Sequence, residues 1–199
     1  VAKYEEAIRL DPESANSYSN LGNILADRGN DGMAEKYYKK AIRLQPGIAY
    51  FHLNLGNLYY QDKNYSKAIS EYQVAMKLES DLALAHNNLG DAYFRKGLKK
   101  LALRHFTQAL ELDPALAIAH CNLGDYEYLE RNNLSAKKRY LEALKLDPTL
   151  AQAYFGLAKA YEREYNNPLA LRFYRRYLLL APQGDLAEEA RRRQAVLAR

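Results

Sequence analysis

Tryptophan is absent from this chain, cysteine occurs once, and proline and glycine are sparse, at 6 and 10 of 199 residues. Each shortage excludes something. A lone Cys121 cannot build an internal disulfide framework, and it fits a reducing compartment such as the cytoplasm. No apolar run approaches the ~20 residues that a helix needs to cross a bilayer, and no signal-peptide pattern is visible. Neither charge sign dominates: 29 Lys and Arg against 24 Asp and Glu leave a net charge of +5. That is weaker than the dense basic face of a nucleic-acid binder, so no nucleic-acid partner is expected. The P-loop, dinucleotide fingerprint, nucleophile elbow and HExxH motif are all missing. The chain is therefore not expected to be an enzyme, and no cofactor is implied. It begins with Val inside a helical pattern and is expected to be a piece of a longer protein.

What is present is apolar and periodic. Hydrophobic residues make up 48%, much of it Ala, Leu and Tyr, with 18 tyrosines. Leu21, Leu55, Leu89, Leu123 and Leu157 stand 34 residues apart, as do Ala34, Ala68, Ala102, Ala136 and Ala170. Gly22, Gly56, Gly90 and Gly124 follow the leucines, with Ala158 in the last copy, and Pro12, Pro46, Pro114, Pro148 and Pro182 close the units, with Ser80 in the one missing slot. A fixed period of this length is the signature of a repeat array.

Within a unit, Tyr18, Leu21, Gly22 and Leu25 have the spacing of one helical face. Arg28-Gly29-Asn30 reads as a turn. Ala34, Tyr37, Tyr38, Ala41, Ile42 and Leu44 resume the helical period until Pro46 stops it. Each unit is thus a helix–turn–helix, in which small residues such as Gly22 and Ala34 let two helices approach closely. The boundaries are a partial repeat at 1–14 that supplies a second helix only, whole repeats at 15–48, 49–82, 83–116, 117–150 and 151–184, and a capping helix at 185–199. In that last stretch Asp185 and Glu188 have capping-box spacing, while Arg191-Arg192 replaces the Leu-Gly of the repeat.

These units resemble the tetratricopeptide repeat (TPR), whose signature is W-x2-L-G-x2-Y, then A-x3-F, then P. The third copy carries it as His86, Leu89-Gly90, Tyr93, Ala102, Phe106, Ala109 and Pro114. Departures are scattered. The Trp slot holds Tyr18, His52, His86, His120 and Tyr154, and Leu25 and Glu127 replace Tyr in the first and fourth copies. The resemblance implies an all-α, right-handed α-solenoid of stacked helix–turn–helix repeats, closed by a C-terminal capping helix. It also implies that the first helix of each repeat lines a concave, peptide-binding groove.

Two columns would line it. Asn20, Asn54, Asn88 and Asn122 form one, ending at Gly156; Asn23, Asn57, Asp91, Asp125 and Lys159 form the other. Residues three apart share a helix face, so the columns are adjacent. An amide offers an acceptor and two donors, and such a ladder can pair with a peptide backbone whatever its side chains. The asparagine column resembles the one lining the superhelix of O-GlcNAc transferases. The alternative is that these amides bond locally between repeats. Tyr60, Phe94 and Tyr128, with Tyr50 and Phe155 near them, would supply contact area, or else pack between repeats.

Other candidates are weaker. The carboxylate clamp of chaperone-binding relatives would need cations where Ser19, Leu53, Asn87, Leu84 and Ile118 stand, so capture of an acidic C-terminus is not expected there. Asp91 and Asp125 favour a neutral or basic ligand. His52, His86 and His120 lie one per repeat, too far apart to converge on one metal, so no metal site is expected. The sequons Asn64-Tyr65-Ser66 and Asn133-Leu134-Ser135 fall in turns and carry little weight. Basic residues concentrate on second helices and the tail, as at Lys36, Lys39 and Lys40 or Arg191, Arg192 and Arg193, and read as a solvated outer face.

The expected function is a protein–protein interaction scaffold that binds an extended peptide or partner helix in the groove. Two alternatives stand beside it: a substrate-recruiting arm of a multidomain enzyme such as a glycosyltransferase, and a module that self-associates through the uncovered helix at Val1–Leu10.

Overall fold

The computed structural model describes residues 2–198; Val1 and Arg199, the outermost residues of the expected N-terminal and capping helices, lie outside them. Among the described residues there are twelve helices and no strand. In order they are α1 (Ala2–Leu10), α2 (Ala15–Asp27), α3 (Asp31–Leu44), α4 (Ala49–Gln61), α5 (Tyr65–Leu78), α6 (Ala83–Arg95), α7 (Lys99–Leu112), α8 (Ala117–Leu129), α9 (Asn133–Leu146), α10 (Ala151–Arg163), α11 (Asn167–Leu180) and α12 (Ala187–Leu197). The chain is an all-α solenoid of helix–turn–helix repeats, with 13-residue first helices and 14-residue second helices throughout.

The chain forms two compact units, Val1–His105 and Phe106–Arg199, with the boundary inside α7. In the first, each helix from α1 to α6 packs on a sequence neighbour, and the first helices also touch along a row, α2 to α4 and α4 to α6. In the second, α8 packs on α9, α9 on α10, α10 on α11 and α11 on α12, with α8 and α10 also in contact. Among the described residues no helix is long and apolar enough to cross a membrane.

In the first, second and fourth repeats the two helices approach closely over a glycine. A Cβ on Gly22 would sit 2.7 Å from the Tyr38 ring, one on Gly56 2.5 Å from Tyr72, and one on Gly124 2.7 Å from Tyr140. Those rings are buried, along with Ala34, Ala68, Ala136 and Ala170 on the second helices. Close packing of this sort leaves no room for one extra methyl group.

The turns use a single backbone device. Gly29, Lys63, Gly97, Arg131 and Tyr165, again 34 apart, all have positive φ, between 58° and 76°. Glycine occupies this region freely; Lys63, Arg131 and Tyr165 do so at a cost. Asparagine follows four times as the N-cap, at Asn30, Asn64, Asn132 and Asn166, and the last three accept from the backbone N–H of Lys67, Ser135 and Leu169. Asn64 of the first sequon is thus a helix cap, and Asn133 of the second donates its amide to the Ala160 carbonyl at 2.9 Å.

The C-terminal cap differs in detail from its expectation. Helix α12 begins at Ala187, and its N-cap Leu186 makes no side-chain bond, so the Asp185–Glu188 capping box does not form. The start is set instead by Tyr177, which fills the slot held by small alanines in earlier repeats. Its ring lies 5.3 Å from Phe155, and its hydroxyl accepts from the Leu186 N–H. At the other end α1 buries no residue completely, and Leu10 is 72% exposed.

Two substitutions of opposite sign test this account. Gly56→Ala should cost a net ~1–2 kcal/mol, since overpacking outweighs the gain in helix propensity. Lys63→Gly should raise stability by about 0.5–1 kcal/mol by relieving the left-handed backbone. Denaturant midpoints measure both, and a Gly56→Ala protein as stable as the parent would contradict the ring-on-glycine packing.

Candidate functional site

The asparagine columns stand on the first helices, but most of their atoms already have partners. In the first unit, the Tyr38 hydroxyl donates to Asn23 Oδ1 at 2.7 Å and the Tyr72 hydroxyl to Asn57 Oδ1 at 2.8 Å. In the second, the Tyr140 hydroxyl donates to Asp125 at 2.7 Å. These are the same tyrosines that pack against glycine, so each ring crosses its repeat and delivers its hydroxyl to the first-helix face. Burial raises all three phenols, Tyr38 to about 12 with Asp27 contributing. A buried phenol needs an acceptor, and these columns supply it.

Asn57 Oδ1 also accepts from Asn88 Nδ2 at 2.9 Å, and Asn88 Oδ1 accepts from Asn87 at 3.1 Å. Asn54 Nδ2 donates to the Ser19 hydroxyl at 3.2 Å. Asn20 is exposed and Asn122 half-buried. The structure therefore places local hydrogen bonds at Asn23, Asn54, Asn57, Asn88 and Asp125. The side-chain nitrogens of Asn23 and Asn57 have no partner among the described residues and are the donors left over.

Aspartate 91 is held differently. Phe106 stands where the other repeats have tyrosine and carries no hydroxyl. Asp91 accepts from Tyr60 of the preceding repeat at 2.6 Å and pairs with Arg95 at 3.3 Å, while Arg95 Nε donates to the Tyr60 oxygen at 2.9 Å. Burial, then the Asp91 charge, push the Tyr60 phenol well up. A hollow of about 270 Å³ is lined by Asn57, Tyr60, Tyr72, Asn88 and Asp91.

The expected aromatic column is uneven. Tyr60 is committed to Asp91. Phe94 is half-buried. The Tyr128 ring has the Arg163 guanidinium 3.4 Å from its centroid and the Lys159 ammonium at 4.8 Å. Phe155 is buried in edge contacts with Tyr174 and Tyr177, whereas Tyr50 is half exposed.

Sequence reasoning missed the tyrosine braces, although a signal was there: Tyr38, Tyr72 and Tyr140 each follow an Asn or Asp by 15 residues. In the fifth repeat that position is Lys159, which cannot accept, and the Tyr174 hydroxyl goes to Glu162 Oε2 at 2.8 Å instead.

The Trp-slot residues are tied down locally. His86 and His120 Nε2 stand 3.3 and 3.0 Å from the carbonyl oxygens of Ser80 and Pro114, and the Tyr154 hydroxyl donates to the Pro148 carbonyl at 3.2 Å. His52 Nδ1 meets Glu71 at 2.8 Å. His86 and His105 face each other with Nδ1 atoms 3.3 Å apart, and Tyr93 stacks on His105. Cys121 is buried.

Family models of the tetratricopeptide repeat match residues 15–48, 83–116 and 121–190, and a TPR-repeat model matches 56–97. Similar solved structures include YrrB, a TPR protein with an unusual peptide-binding site, at 24% identity over 95% of this chain and 97% of that one, with a TM-score of 0.61. TTC0263, a thermophilic TPR protein of Thermus thermophilus, matches at 21% identity over 93% and 99% of the two chains, with a TM-score of 0.79. Yeast Tom70 matches at 20% identity over 98% of this chain and 42% of its own, with a TM-score of 0.78. At these identities the likeness carries the fold alone. No curated protein matches the sequence.

The histidine pair gives stability a pH dependence. Burial holds His86 below the usual imidazole range, and burial, His86 and Arg104 together push His105 down to about 4. The unfolded chain takes up these protons near pH 6.5, so between about 6.5 and 4 it binds more of them than the folded chain. The contribution is complete above pH 6.5 and is lost as pH falls through that window. His105→Phe should flatten this part of the profile. An equal drop in denaturant midpoint between pH 7 and pH 4.5 for variant and parent would count against the pair as its source.

Proposed function

The chain belongs to the tetratricopeptide-repeat family, and from that premise we propose that it is a protein-interaction adaptor which holds an extended peptide against the face of its first helices. The observation that carries the reading is the direction of the amides. Asn23 and Asn57 have their oxygens spent on buried tyrosine hydroxyls, and their nitrogens are left as donors on the same face. Open donors in a row match the carbonyl oxygens of an extended backbone, and they read it without regard to side chains. Asn20, exposed on α2, and Asn54 and Asn88, half-buried on α4 and α6, extend the row. In the second unit Asn122 and Asp125 stand in the same register on α8. Asp125 replaces the amide by a carboxylate, which favours a neutral or basic segment beside it. Tyr60, Phe94 and Tyr128 flank the columns and add contact area.

The test exploits this directionality. Asn57→Asp keeps the oxygen that Tyr72 needs, as Asp125 does for Tyr140, but replaces the open donor by an acceptor. A peptide-array screen of the purified chain would identify neutral extended ligands, and fluorescence anisotropy would measure the best of them. The double variant Asn23→Asp, Asn57→Asp should melt like the parent yet bind at least about tenfold more weakly, the scale of one to two lost hydrogen bonds. Unchanged affinity would assign the columns to structure alone.

A further inference from the structure

At the far end of the second unit the row of first helices changes character. Its polar column ends in Lys159, and one turn on stands Arg163. A cavity of about 500 Å³ opens there, lined by side chains that include Tyr128, Lys159 and Arg163 from α8 and α10 and Glu189, Arg192 and Arg193 from α12. That volume lies within the range of ordinary ligand pockets, about 300–1,000 Å³.

The charges in it do not balance. Glu162 is satisfied: Arg193 pairs with it and the Tyr174 hydroxyl donates to it. This cancels Arg193. Three cations remain, Lys159, Arg163 and Arg192, facing one carboxylate, Glu189. Among the described residues no carboxylate stands within ion-pairing distance of any of the three.

Two of them are held in place by contacts that leave their charge unsatisfied. Arg163 stacks 3.4 Å from the Tyr128 ring centroid and donates Nη1 to the Tyr128 carbonyl at 2.6 Å. Lys159 lies 4.8 and 5.6 Å from the ring centroids of Tyr128 and Phe155. Aromatic faces attract a cation without giving its N–H groups an acceptor. The cations are pre-ordered, so a ligand need not spend much of its binding energy immobilising them. The displaced brace explains why the site is here. Ala158 replaces the repeat's glycine, and Tyr174 turns to Glu162, so Lys159 is left without the brace hydroxyl that Asn23, Asn57 and Asp125 receive.

We propose that this pocket takes the carboxylate side chains of an acidic stretch, Asp or Glu, within the bound peptide. The inference rests on peptide capture by the first-helix face and adds ligand chemistry to it. With Asp125 on α8 and Lys159, Arg163 and Arg192 at the α10–α12 end, the second unit selects a peptide that is neutral or basic at one end and acidic at the other. Its direction is thereby fixed.

The probes are short labelled peptides, acetylated and amidated at their ends, that differ only in an adjacent run of Glu, Gln or Lys. Anisotropy at low salt should show the Glu peptide binding at least about tenfold tighter than the Gln peptide, with the margin shrinking as salt is added. Arg192→Glu, at an exposed site on α12, should abolish that margin, and Lys159→Gln should reduce it. Circular dichroism melts confirm that both variants fold. Equal binding of the Glu and Gln peptides overturns the inference, and so does an Arg192→Glu protein that keeps the margin. If the Gln peptide binds in an Asn57-dependent way while Glu adds nothing, the acidic pocket fails and peptide capture stands. If no peptide binds, both fail.

Discussion

A tyrosine ring lying on a glycine is the contact on which the rest of this structure depends. At Gly22–Tyr38, Gly56–Tyr72 and Gly124–Tyr140 the missing Cβ brings two helices close enough for one ring to span them. Because the ring spans them, its hydroxyl emerges beside the first helix and must be met by an acceptor, since an unpaired buried hydroxyl costs ~1–3 kcal/mol. Asn23, Asn57 and Asp125 meet it. The residue that packs the repeat therefore also orients the polar group on its first-helix face.

Repeats that break this pairing acquire other properties. Without a hydroxyl at Phe106, Asp91 takes one from Tyr60 and adds Arg95. With Lys159 in place of an acceptor, Tyr174 turns to Glu162, and a cation faces a cavity. The polar surroundings of the first-helix face thus change where the period is broken.

Much of the architecture was legible in the sequence, because a period of 34 leaves few ways to arrange leucine, glycine, alanine and proline. The helix pairs, their turns and the Ala34-type buried columns follow from it. The start of α12 did not, because Asp185 and Glu188 have the right spacing while Tyr177, nine residues before Leu186, sets the N-terminus from another helix. The candidate site was legible only as a register. That Asn20, Asn54, Asn88 and Asn122 form a column is a matter of counting. Which amide atoms are left over depends on hydroxyls 15 residues away, and the cluster of Lys159, Arg163 and Arg192 depends on where α12 docks. Spacing alone carries neither.

The Tyr60–Asp91–Arg95 triad joins α4 to α6, two first helices of successive repeats, by side-chain bonds. Between α2 and α4, among the described residues, the corresponding side-chain hydrogen bond is that of Asn54 with Ser19 at 3.2 Å, beside apolar packing such as Ala15 with Phe51. A stack of repeats bends by letting such neighbours slide and separate. Polar bonding along this row of the first unit is therefore graded, light between α2 and α4 and heavier at the triad. Under tension, pulling α4 from α6 would have to break charge-assisted bonds, whereas parting α2 from α4 would break one neutral hydrogen bond and apolar packing.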